Sequence, residues 1–193
     1  LAWIWREVGD LGRARDLAAP GSAGAAEAEE VLVTVLAHAG KPGPARALGQ
    51  GLLHRLDELG APPARRVELL LVLARAALAA GDTDSATADV ANARATGDLD
   101  PGVRAALDAV GAHVALADDR LDEAQRLASA AVSGADRPEV ECEALEVLGR
   151  LATASDSVAL FRRSADLAER HGLTTWRLRA LQDETGGFTG LIP

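Results

Sequence analysis

Residues 62–98 spell out a complete helix–turn–helix unit, with start, turn and stop signals all present, and the spacing of that unit constrains what the rest of the chain can build. Pro62 and Pro63 suit a first helical turn, where a missing N–H costs nothing. The run 67–78, VELLLVLARAAL, then carries only Glu68 and Arg75 as charges. A helix apolar nearly all round has to be covered on both sides. Gly81-Asp82 breaks it, Thr83 or Asp84 offers a cap for the next helix, and Ala86, Val90 and Ala93 fall on one narrow face before Gly97 ends that helix. Small residues on that face let two helices lie close. Ala86, and Ala124 in the unit that follows, are the expected points of closest approach.

The unit recurs. A turn residue followed five positions later by Ala occurs at Gly9 and Ala14, Gly40 and Ala45, Gly81 and Ala86, and Asp119 and Ala124, so that successive turns are 31, 41 and 38 residues apart. That is the period of helical-hairpin arrays, and a fifth turn is expected near Ser155-Asp156. The expected hairpins pair residues 1–8 with 10–19, 23–39 with 44–59, the two halves of the 62–98 unit, 101–117 with 121–132, and 138–152 with 157–171. Gly43 caps before Pro44, Asp100 before Pro101, and Gly172 stops the last helix. Thr174 or Thr175 caps a short terminal helix over 176–182. The array thus occupies 1–184, and 185–193 is an irregular tail without helical periodicity.

Composition agrees with this reading. Only 3% of residues are aromatic, Met and Tyr are absent, and 48% are apolar, which suits closely packed helices and not β-sheet. With no Met there is no initiator, so the chain is expected to be a piece of a longer protein. A net charge of −9, a single Lys and no basic run beyond Arg65-Arg66 and Arg162-Arg163 argue against direct nucleic-acid contact. The most apolar windows, 31–37 and 69–80, are too short to span a bilayer, and no signal peptide opens the chain, so the expected location is the cytoplasm and no membrane is a partner. The lone Cys142 fits a reducing compartment.

Chemistry is hard to place anywhere. No G-x-x-x-x-G-K-[ST] or H-E-x-x-H occurs, and His38, His54, His113 and His171 fall on four different expected helices, so each reads as a surface or groove side chain ahead of a metal ligand. Cys142 reads as a small packing residue. Glu27, Glu29 and Glu30 read as a solvated helix face. The chain is expected to be no enzyme and to need no cofactor or metal. Trp3 and Trp5, two apart, point to different sides of their helix, and Trp176 reads as core.

The units resemble tetratricopeptide repeats, whose pattern sets a small residue in the first helix, Gly at the turn, Ala five later, a bulky residue four after that and Ala three after that. The third unit offers Ala74, Gly81, Ala86, Val90 and Ala93; the fourth offers Ala112, Asp119, Ala124, Ala128 and Ala131; the first pair matches at Gly9 and Ala14, and the fifth unit matches least. The resemblance implies an all-α, right-handed solenoid of about five hairpins plus a short terminal helix, with the first helix of each hairpin lining a concave groove. Projected onto this chain, that groove carries Glu27, Glu30, Thr34 and His38, then Glu68, Leu71, Arg75 and Leu78, then His113 and Leu116. A peptide lying there is the implied partner.

A narrower resemblance lies in residues 143–152, EALEVLGRLA, and 160–181, LFRRSADLAERHGLTTWRLRAL. Both stretches are similar to the helical repeat region of large ATP-binding LuxR-type transcription regulators of actinobacteria. In that family an ATPase precedes the repeats and a DNA-binding helix-turn-helix follows them. The resemblance implies a regulatory interaction segment that engages a protein, a peptide or other domains of the same regulator. The second expectation is a general repeat scaffold of an unrelated multidomain protein. Sequence flanking the segment separates the two.

Overall fold

The computed structural model describes residues 23–97 and 99–189, with backbone alone at Ala23 and 185–189; the expected first hairpin, with Trp3, Trp5, Gly9 and Ala14, lies outside the described residues. Every described element is a helix, and no strand occurs among the described residues. The chain divides into two compact units, Leu1–Asp98 and Leu99–Pro193. The first holds α1 (Ala23–His38), α2 (Pro42–Glu58), α3 (Pro63–Ala79) and α4 (Thr83–Arg94). The second holds α5 (Pro101–Ala117), α6 (Leu121–Gly134), α7 (Pro138–Leu151), α8 (Ala154–Arg170) and α9 (Thr174–Thr189).

Punctuation in the sequence sets most of these bounds. Asp100 accepts the N–H of Val103 at 3.0 Å and so caps α5 as expected. At α4 the cap is Asp82, which accepts from the Ser85 N–H, and not Thr83 or Asp84. The hydrogen bonds from Ser85 hold the Asp82 carboxyl below its ordinary value. Gly81 turns with φ 74°, and Asp119 takes the equivalent turn with φ 59°. Asp is one of the few side chains that tolerate this left-handed conformation, which is why a turn without Gly still works there.

Among the bounds that depart from expectation, three have a visible cause. Helix α2 starts at Pro42, because Pro42, Gly43 and Pro44 all fit in a first turn whose N–H groups have no intrahelical partner. Helix α8 starts at Ala154 and not at 157; the Thr153 hydroxyl bonds the Asp156 carboxylate at 3.0 Å, and the Ser157 N–H bonds the Thr153 carbonyl at 2.8 Å. The expected turn at Ser155-Asp156 is therefore the first turn of α8. Helix α9 runs to Thr189, so the backbone of 185–189, expected to be irregular, belongs to the helix. Gly186 and Gly187 weaken helix propensity there, but contacts from Asp183 and Glu184 to neighbouring helices hold the helix beyond 182.

Within each unit consecutive helices pack on one another, and so do alternate ones: α1 with α3 in the first unit, and α5 with α7 and α7 with α9 in the second. This is solenoid-like packing of neighbours. The odd-numbered helices form one layer of each unit and the even-numbered helices the other. In the first unit the core is Val33, Leu52, Leu56, Leu69 and Leu73 with the small Ala26, Ala45 and Ala76. Gly49 on α2 lets Leu73 in, since a Cβ there would stand 2.5 Å from its Cδ2. In the second unit α5 is buried over Ala105, Ala106, Ala109, Ala112 and Ala115, with Gly111 among them. Ala86 and Ala124 are fully buried, as are Ala74, Ala93, Ala112, Ala128 and Ala131, so these positions of the repeat pattern face helix contacts. Arg46 of α2 ties three helices, donating to the Leu73 carbonyl at 3.2 Å and to the Asp89 carboxylate at 2.6 Å. Burial pushes the Asp89 carboxyl up, against the pull of Arg46.

Candidate functional site

The odd-numbered helices hold the residues singled out in the sequence, and each unit deals with them differently. On α1, Glu27 and His38 are exposed and Thr34 is partly buried. Thr34 donates to the Glu30 carbonyl at 2.9 Å, and His38 Nδ1 lies 2.7 Å from the Thr34 carbonyl. A carbonyl only accepts, so Nδ1 carries the imidazole proton. Glu30 alone among them crosses to another helix, accepting from Arg65 Nε on α3 at 2.6 Å with both side chains a quarter exposed. That hydrogen bond raises the Arg65 guanidinium above its ordinary value.

On α3, Glu68 is exposed, Arg75 and Leu78 are half-buried, and both charged groups interact within the chain. Leu71 does not line an open face: it is 2% exposed. Helix α3 packs against α1, α2 and α4 together, so the strip it leaves open is narrower than a one-third face, and Leu71 falls under cover.

In the second unit Leu116 is half-buried, and His113 points from α5 to α7, its Nε2 3.2 Å from the Glu143 carbonyl. Nε2 must donate there. Burial holds His113 below the ordinary imidazole value, with Glu143 and Glu146 pulling it up and Arg150 and Arg179 pushing it down. His113 is thus a packing histidine in the contact of two odd-numbered helices, not an open groove residue.

Beside it lies a charged cluster between α7 and α9. The Glu146 side chain is 4% exposed, and two guanidiniums meet it: Arg150 Nη2, one turn on, at 2.7 Å from Oε1, and Arg179 Nη2 of α9 at 2.9 Å from Oε1 and 2.8 Å from Oε2. Arg150 also lies 3.4 Å from Asp183 of α9, and Arg179 stacks 4.8 Å over the Trp176 ring. Both arginines keep 46% of their surface in solvent. A carboxylate this buried is stable only with such partners. The arrangement recognises and orients charge; it brings no nucleophile next to a base. Sequence reading passes over Glu146, Arg150 and Arg179, although Glu143, Glu146 and Arg150 at i, i+3 and i+7 share one face of α7.

His38, His54 and His113 stand on three helices and His171 at the C-cap of α8. Cys142 is fully buried, its thiol donating to the Ser164 carbonyl at 3.6 Å and pushed up by burial. Among the described residues no helix is long and apolar enough to cross a membrane. Neither a protein-family model nor a curated protein matches the chain.

Proposed function

We propose that this chain is a non-catalytic protein-interaction and regulatory repeat module of a LuxR-type transcription regulator, built as a right-handed tetratricopeptide-like solenoid and working in the cytoplasm. The ATPase and the DNA-binding helix-turn-helix lie outside it, and it makes no nucleic-acid contact of its own. What supports this is the layer of odd-numbered helices, a scaffold face that mixes exposed charge and apolar groups in each unit. The partner is a protein or peptide, or the regulator's other domains, and the contact residues on the first unit are Glu27, Glu30, Thr34, His38, Glu68, Arg75 and Leu78. The second unit adds Leu116.

The full reading frame is the direct test. A P-loop coded upstream and a helix-turn-helix downstream are expected; the absence of both overturns the regulator reading and leaves the general scaffold. Within a regulator so found, Glu27→Ala with His38→Ala, both at exposed positions, should weaken binding of the other domains at least about threefold with an unchanged melting temperature. Unchanged binding would remove this face from the contact.

A further inference from the structure

Helix α9 is attached differently from its neighbours. Over residues 174–184 Ala180 alone is buried, whereas α6 buries four side chains and α8 five. Its apolar seat among the described side chains is Trp176 and the preceding Leu173, both half-buried, which pack on Cys142, Leu167 and Ala168. Four ion pairs add to it. Arg179 pairs with Glu146, Asp183 with Arg150 at 3.4 Å, Glu184 with Arg162 at 2.8 Å and Arg177 with Glu169 at 3.3 Å. In each pair the arginine keeps between 46% and 68% of its side-chain surface in solvent. The three rim pairs, at Asp183, Glu184 and Glu169, are individually weak and are screened by salt, while the Glu146 carboxylate, 4% exposed, is the firmer hold.

We propose that α9 is a detachable latch: it leaves α7 and α8 as a unit, with those helices still folded, when its ion pairs are screened or out-competed, and so uncovers the seat around Cys142. The inference rests on how α9 is attached and holds for a regulator and for a general scaffold alike. Elements with few buried apolar contacts open locally at much lower free energy than the core they sit on. What α9 covers when closed is an apolar patch rimmed by the Glu146 carboxylate, the surface that Trp176 and Arg179, one turn apart, now occupy.

Cys142, the only cysteine of the chain, lies under Trp176 and reports the opening. Maleimide labelling of native full chain is followed at constant pH in low salt and in 1 M sodium chloride, where the screening length falls to about 3 Å from about 10 Å at 0.1 M. Labelling is expected to run roughly tenfold faster at high salt, the sum of several weak pairs, with little dependence on added urea. Glu146→Gln and Glu184→Gln should label faster already at low salt and respond less to added salt. If Glu146→Gln fails to fold, Glu184→Gln at its exposed pair decides. A rate indifferent to salt in the wild type and in Glu184→Gln, or a urea dependence equal to that of global unfolding, would overturn the latch.

Discussion

Between the odd-numbered helices of the first unit the bridging carboxylate, Glu30, is a quarter exposed and meets one arginine; between those of the second, Glu146 is 4% exposed and meets two. The neighbouring side chains differ as well. Leu52, Leu56, Leu69 and Leu73 fill the first unit with bulk, and water still reaches the rim where Glu30 and Arg65 join. In the second unit Ala and Gly along α5 let helices approach, and a carboxylate rising from α7 is closed off from water. A closed-off carboxylate needs more compensation than a rim one, because desolvation grows faster than a single pair can offset.

The same contrast orders the expected effects of substitution. Phe161→Ala should cost most, about 3–5 kcal/mol in urea unfolding, because its ring fills the space over Gly149, where a Cβ would stand 2.6 Å away. A cost under about 1 kcal/mol would mean that the second unit is loosely packed after all. Next come Ala86→Leu and Ala124→Leu, each expected to lose about 1–3 kcal/mol by overpacking, against little change for Ala88→Leu at an exposed position of α4. Equal melts for the three would show that small residues do not set the helix spacing in either unit.

The smallest effect expected is on pH dependence. Since His113 is held below its ordinary value when folded, the unfolded chain takes up the proton first as pH falls. Stability present above the ordinary imidazole value, about 6.5, is lost as pH falls from there toward the folded value. His113→Gln should therefore flatten the fall in urea midpoint between about pH 7 and pH 5. The groups facing the ring, Glu143, Glu146, Arg150 and Arg179, stay in place in that variant, so an unchanged slope would assign the acid response to them.

Helices were legible because Pro, Gly and Asp punctuate this chain: Pro101 behind Asp100, Gly81 ahead of α4 and Asp119 ahead of α6 stand where their chemistry requires. The α7–α8 turn was not, since it lacks Gly. Counted from Ala152, Ser157, Phe161 and Ser164 keep the five, four and three spacing with Ser in place of Ala, so the period survives while its letters change. The site was legible only in part. Glu30 reaches across to Arg65 and Arg75 is half-buried, but Leu71 and His113 do not stand open, because on a helix apolar all round periodicity cannot say which side a neighbour covers. Glu146 escaped because only the partners from α7 and α9 distinguish it from a solvated glutamate, and those partners meet through the fold.

The contrast between Glu30 and Glu146 is tested most directly by urea unfolding of Glu30→Gln and Glu146→Gln side by side, with Arg179→Ala completing a double-mutant cycle. Glu146→Gln should cost about 2 kcal/mol or more, as loss of a buried partner does once the exposure of its arginines is allowed for, and should couple to Arg179→Ala. Glu30→Gln should cost under about 1 kcal/mol. Equal costs at the two sites, or no coupling between Glu146 and Arg179, would contradict the account.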